Sequence, residues 1–383
     1  MTSDGVIHTA PIAPDLESGW DGLARSNADL ANRELELTLA TGESVTLSLG
    51  WSDGGDTPPT GSSIVYLDQN HWVTLAQYVR VPDRVRALDR DPAAALVELA
   101  RSGAVVLPLS SAHLRETAPT GKHRRDMSMT MLELSRGWQM RSPLDVRRRE
   151  LAAAISGAEP RCEAVFTLEP DVVFDESTAV PTPQDFPPLW QELHRRVVSA
   201  TANVAVMLEE DDPADDPGAG ERQRWLNAYR THARRIQEEK PTPEEVRVIA
   251  HATLLADLLE ETKKAALLAK VEDNVLAAWL TDRSAADYER APHLRTLEDI
   301  LYHRLRNPDD HWQGNDLLDM HFLSCAAGYA DVVVAEKKFG DYLMRARRRH
   351  PGNAEVITTL ADAVAVVTEH EPRDRLRTPT SRA

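Results

Sequence analysis

Apolar and polar positions alternate from Glu34 to Trp51, ELELTLATGESVTLSLGW, and a period of two with Thr41-Gly42 at its centre predicts a β-hairpin. SDGGDTPPTGSS follows and reads as a flexible linker rich in Gly, Pro and Ser. The pattern changes at Ser63. Ile64-Val65-Tyr66-Leu67 is a continuous apolar run of the kind buried on both faces of a sheet, ended by Asp68-Gln69-Asn70, and His71 to Arg80 reads as a helix. A helical stretch from Pro92 to Arg101 leads to a second buried strand, Ala104 to Leu109, with Ser110 or Ser111 as the cap of the next helix.

From residue 122 to about 312 the apolar positions recur three and four apart, in MSMTMLELSRGWQM, PPLWQELHRRVVSATANVAVMLEE and PEEVRVIAHATLLADLLEETKKAALLAKVEDNVLAAWL. That spacing predicts helices. AVFTLEPDVVF, at 164–174, could supply another short strand. Asn315 to Gly328 is a strongly apolar helix, Val332-Val333-Val334-Ala335 a last buried strand, and the tail from Arg373 is expected to fray. Strands alternating with helices imply a parallel sheet covered on both faces, whose ligands gather at the carboxyl ends of the strands.

Composition narrows the setting. The 383 residues exceed one ordinary domain, and 42% apolar with 27% charged residues argues against a disordered or membrane chain. Cys162 and Cys325 are too few for a disulfide framework or a thiolate zinc site, which points to a reducing compartment. With no leader pattern and no run of ~18 apolar residues, the expectation is a cytoplasmic protein without membrane association. The 44 basic against 61 acidic residues, a net charge of −17, disfavour a surface that grips nucleic acid everywhere. Two local basic clusters remain: Lys122, Arg124, Arg125, Arg136, Arg141, Arg147, Arg148 and Arg149, and then Arg345, Arg347, Arg348, Arg349 and His350. Either is read as a solvated helix face or as a grip on a phosphate backbone.

Candidate chemistry lies in carboxylates. Asp68 follows the first buried strand, Glu116 lies in the helix after the second, Asp316 and Asp319 open the helix before the last strand, and Glu336 follows that strand. Like charges brought to one sheet edge raise each other's pKa unless a cation compensates, and carboxylate oxygens select hard ions such as Mg²⁺ or Mn²⁺ over zinc. Such an ion activates water for phosphodiester hydrolysis. The competing structural readings are capping roles for Asp68, Asn70, Asp316 and Asp319, and solvated positions for Glu116 and Glu336. His71 and His113 are read as locally satisfied histidines, and the tryptophans as packing residues, with Trp312 beside Asp316 the exception.

These blocks resemble a known family. Ile64-Val65-Tyr66-Leu67-Asp68-Gln69-Asn70, Leu107 to Thr117, Asn315-Asp316-Leu317-Leu318-Asp319 and Tyr329 to Phe339 are similar to the conserved blocks of PIN-domain and PIN-like ribonucleases, over less than a quarter of the chain. The resemblance implies an α/β fold, a PIN-like three-layer α/β/α core with a central parallel sheet, plus a large, mainly helical insertion. It divides the chain into an extension at 1–62, a core at 63–121 plus 312–350, an insertion at 122–311, and a helix and tail at 351–383. It further implies a metal-dependent endoribonuclease, of the kind used as toxins or defence effectors, with Asp68, Glu116, Asp319 and Glu336 catalytic and Asp316 an additional ligand of Mg²⁺ or Mn²⁺. Asn70, His113, Lys122, Arg124 and Arg125 are the candidate contacts to RNA, with DNA as the other substrate. The final acid is Glu336 where the family usually has Asp, and Val334 stands where it commonly has Thr or Ser. Those departures motivate the alternative of a non-catalytic scaffold that binds RNA or protein through its helical insertion, the segment also expected to carry any homo-oligomer or regulatory contact. A haloacid-dehalogenase-type phosphatase ranks behind both, because it needs an Asp where Asn70 stands.

Overall fold

The computed structural model describes residues 22–50, 56–117, 123–169, 172–173, 187–208 and 219–369. It is an α/β protein of two compact units, the first drawn from residues 1–141, 166–211 and 360–383, the second from 142–165 and 212–359.

The first unit opens with an antiparallel meander, β1 (Leu23–Asp29), β2 (Glu34–Leu39) and β3 (Ser44–Ser48). Leu35, Leu37, Leu39, Val45 and Leu47 are buried on one face, as the alternation predicts. β1 was not legible, because LARSNAD is a polar edge strand with no apolar period. β4 (Ser63–Leu67) is buried at all five positions, α1 (Gln69–Arg80) begins directly after Asp68, and α2 (Ala87–Arg101) leads to the short β5 (Val105–Val106). β4 and β5 run parallel, pairing Ser63 with Val105 and Ile64 with Val106, so their carboxyl ends point the same way. α3 (Ser111–Thr117) and α4 (Arg124–Ser135) follow. The helix predicted through Met140 stops at Ser135, since Arg136 and Gly137 take left-handed φ values of 51° and 86° and the chain turns into β6 (Gln139–Met140).

α5 (Pro143–Ser156) belongs to the second unit, whereas β7 (Phe166–Thr167), antiparallel to β6, and α6 (Pro188–Leu208) belong to the first. The predicted linker is anchored where it is described: Asp56 accepts two bonds from Arg196, at 2.8 and 3.0 Å, and the Ser62 hydroxyl donates to Gly103 C=O at 2.7 Å.

The second unit is mainly helical: α7 (Ala219–Glu239), α8 (Pro243–Asp257), α9 (Leu259–Leu268), α10 (Asp273–Asp282), α11 (Ser284–Arg290), α12 (Pro292–Arg306) and α13 (Asp316–Tyr329). Thr242 and Glu245 close a reciprocal capping box on α8. β8 (Val332–Val334) then pairs in parallel with β9 (Glu355–Ile357) around α14 (Lys337–Arg349), and α15 (Leu360–Glu369) returns to the first unit. Within the second unit α13 packs along α12, and 355–357 form a strand in the segment expected as a C-terminal helix and tail. Residues 370–383 lie outside the described residues.

α12 and α13 approach closely at Gly328, where an added Cβ would stand 2.8 Å from both the carbon and the oxygen of the Pro292 carbonyl. Backbone cannot swing aside as a side chain can. Gly328→Ala should therefore cost about 1–3 kcal/mol in urea unfolding. Gly220→Ala, in α7 with nothing within 4 Å, should be neutral or stabilising.

Candidate functional site

β4 ends in Asp68, which caps α1: the Gln69 N–H donates to Asp68 Oδ1 at 2.8 Å. α3 is only seven residues long, too short to hold its place through helix formation alone, and tertiary hydrogen bonds fix it. His113 Nε2–H donates to the Leu67 carbonyl at 2.8 Å, while its Nδ1 accepts the Ser110 N–H at 3.1 Å. The ring lies between Tyr66, stacked at 5.1 Å, and Trp72, edge-on at 6.1 Å. A second strap runs one turn later: Thr117 Oγ1 donates to the His113 carbonyl at 2.7 Å and accepts from Gln69 Nε2 at 3.1 Å. Leu67 and Gln69, the two neighbours of Asp68, are thus both tied to α3, and Thr117 is the neighbour of Glu116. Asp68 and Glu116, each half-buried, are held on adjoining elements at the carboxyl end of β4.

The hydrogen bonds specify an uncharged imidazole, because Nδ1 has to accept. Burial pushes the His113 pKa down to about 4, against the opposing pull of the Leu67 carbonyl and the Asp68 charge. His113 is 2% exposed with both ring nitrogens used, so it does not serve as the substrate contact expected of it. The Ser110 hydroxyl is likewise turned inward, 2.9 Å from Tyr66 Oη.

The expected basic grip is taken apart by the fold. Arg124, 3% exposed, donates to the Val206 and Met207 carbonyls at the end of α6, at 2.8 and 3.0 Å, where a cation suits the helix dipole. Arg125 pairs with Glu43, Arg136 with Glu34 at 2.7 Å, Arg141 with Glu169 at 2.5 Å, and Arg149 with Asp145 at 3.0 Å. Arg147 is bidentate on Glu261, at 2.6 Å for each bond. Arg124, Arg141 and Arg147 are buried struts, Arg125, Arg136 and Arg149 pair nearer the surface, and Arg148 meets no carboxylate at ion-pair distance among the described residues, an arrangement of separate contacts rather than a continuous phosphate track. Lys122 lies outside the described residues, and Asn70 is exposed on the first turn of α1. Arg115, one residue before Glu116, was missed by sequence reasoning although it sits inside the quoted block. It is exposed, and among the described residues no carboxylate pairs with it.

In the second unit Asp316 is committed elsewhere. Arg304 Nη2 and the Gln313 N–H donate to its Oδ2 at 2.6 and 2.7 Å, and Lys338 Nζ donates to its Oδ1 at 2.7 Å. Burial works to raise its pKa, but Lys338, the Gln313 N–H and Arg304 outweigh that and hold the carboxyl below its usual value. Arg304 also binds Asp310 at 2.6 and 3.1 Å and lies 3.9 Å over the Trp312 ring, which makes Trp312 a packing residue. The cap of α13 falls to Asn315 rather than to Asp316. Asp319 is half-buried in the first turn, and Glu336 is exposed at the N-cap of α14.

Asp68 and Glu116 offer oxygen donors suited to a hard ion that keeps several waters, and unsuited to zinc. Among the described residues, however, no group of three or more His, Cys, Asp or Glu is gathered as a metal ion would require. No helix among them is long and apolar enough to cross a membrane. No protein-family model matches the chain, and no curated protein and no solved structure matches it.

An imidazole that titrates near 4 folded and near 6.5 unfolded binds its proton first in the unfolded chain. Stability contributed by His113 is therefore complete above about pH 6.5 and is lost as the pH falls toward 4. His113→Gln keeps a donor and an acceptor but cannot titrate. Its urea stability should fall less than wild type between pH 7 and 4.5, by on the order of 2 kcal/mol.

Proposed function

We propose that this protein is a metal-dependent phosphodiesterase of the PIN-like kind, acting on RNA, with Asp68 and Glu116 as metal-binding carboxylates. The observation that carries the reading is the double strap from α3 to the two neighbours of Asp68, which keeps both acids at one strand end. The resemblance to PIN-like ribonucleases extends the ligand set to Asp319 and Glu336. A bound Mg²⁺ or Mn²⁺ would supply an activated water and shield the phosphate charge. Asp68 and Glu116 would hold the ion by their oxygens, and Arg115 would donate to a phosphate beside the scissile bond.

A second reading, a non-catalytic scaffold, draws support from Asp316, whose two oxygens are already taken by Arg304 and Lys338. A chain of net charge −17 in which Arg124, Arg125, Arg136, Arg141, Arg147 and Arg149 are already engaged has few cations to spare, so RNA affinity should depend on few phosphate contacts. Both readings meet in one assay.

Wild type should cleave single-stranded RNA with Mn²⁺. Asp68→Asn and Glu116→Gln should each lose about 100-fold or more in rate while retaining RNA binding, and Asp319→Asn and Glu336→Gln should follow them if the whole ligand set acts. Arg115→Ala should flatten the slope of log affinity against log salt by about 0.7. Cleavage of equal rate by wild type and Asp68→Asn would reject the hydrolytic reading. Binding without any cleavage would favour the scaffold.

A further inference from the structure

The outer strand of the meander carries a feature independent of the hydrolytic reading. β3 bonds to β2 through its odd-numbered residues, since the Leu39 N–H donates to the Glu43 carbonyl at 2.8 Å and the Leu49 N–H to the Arg33 carbonyl at 2.7 Å. Alternation in an antiparallel pair then turns the backbone groups of Ser44, Thr46 and Ser48 away from β2. Arg136 closes the far end, its carbonyl accepting the Ser48 N–H at 2.7 Å. Ser44 and Thr46, both exposed, make no outward backbone–backbone hydrogen bond among the described residues.

Beside this open edge lies a cleft of about 690 Å³, walled opposite β3 by Arg80, Arg101, Met129, Glu133 and Arg136. Its charges pair off with one exception. Arg101 meets Glu133 at 2.7 Å, Arg136 meets Glu34 at 2.7 Å, and Arg125 covers Glu43. Arg80 has no carboxylate at ion-pair distance among the described residues, and its Nε makes only a long bond, 3.4 Å, to Thr130 Oγ1.

We propose that this cleft binds an extended peptide segment, which adds a short strand to β3 and brings one carboxylate to Arg80. Only a polypeptide backbone answers alternating N–H and C=O groups at strand spacing, and a helix beside the edge gives its side chains a wall, as in other sites of strand addition. The Arg136 carbonyl ends the edge after two open residues. That length suits a short segment entering a cleft and is too short for sheet-to-sheet pairing with a second copy. Arg80, left without an ion pair among the described residues because Arg125 covers Glu43, selects an acidic side chain in the segment.

The test titrates the full chain against a fluorescein-labelled, amidated peptide of sequence Thr-Val-Glu-Val-Thr and follows anisotropy. Saturable binding is expected. Thr46→Pro removes only an outward N–H, at an edge position where proline is tolerated, and should weaken binding by about tenfold or more with an unchanged unfolding midpoint. Arg80→Met, or Gln in place of the peptide's Glu, should weaken it by about fivefold and abolish its dependence on salt. A peptide N-methylated at its central residue should not bind. No saturable binding at millimolar protein, equal binding by correctly folded Thr46→Pro, or equal binding of the N-methylated peptide would overturn the proposal. So would sedimentation of wild type as a dimer that Thr46→Pro dissolves, which assigns the edge to a second copy instead.

Discussion

One imidazole has to stay uncharged for the end of β4 to hold its shape. His113 accepts from the backbone of Ser110, just before its own helix, and donates to the last carbonyl of the strand, and only a neutral ring can do both. Protonation would confront the Ser110 N–H with a second donor inside a space sealed by Tyr66 and Trp72. α3, the element that carries Glu116, would lose the bond that seats it at the end of β4. The chemistry proposed for the acids therefore depends on a residue that touches no substrate.

The same economy governs the positive charges. In a chain with more acids than bases, arginines that look like a nucleic-acid track are consumed as struts. Arg124 ends α6, Arg125 and Arg136 tie the meander to α4, and Arg304 is sealed between Asp310, Asp316 and Trp312. Removing one partner from the Arg304 group would strand an unpaired buried charge, which is why such groups resist exchange even where their net stabilisation is small. A similar arrangement holds α12. Burial raises the Glu150 pKa to about 7, against bonds from Tyr329 and from the His293 and Leu294 N–H groups, so this carboxylate caps the helix from another element.

Local pattern carried much of the fold. β4 and β8 were legible as continuous apolar runs, the hairpin by its period of two, and α1 because Asp68 both stops a strand and caps a helix. β1 and β9 were not, since LARSNAD is polar throughout much of its length and Glu355-Val356-Ile357 opens on a charge with only Val356 buried. For the site, the acids were legible as residue types at strand ends, but the occupancy of each carboxylate was not. Nothing in the sequence marks Asp316 as the acid that Arg304 and Lys338 hold. The arginines misled for a related reason. Their partners Glu34, Glu43 and Glu261 lie 102, 82 and 114 positions away, beyond the reach of any local charge pattern.

The hydrogen bonds of His113 require a neutral, Nε2-protonated ring, and the ¹⁵N shifts of its ring nitrogens report that state directly. At about pH 5.5, where a free histidine is mostly protonated, long-range ¹H–¹⁵N correlation spectra of the labelled protein should show a bare Nδ1 and a protonated Nε2. An imidazolium pattern at that pH, or a proton on Nδ1 instead, would contradict the account.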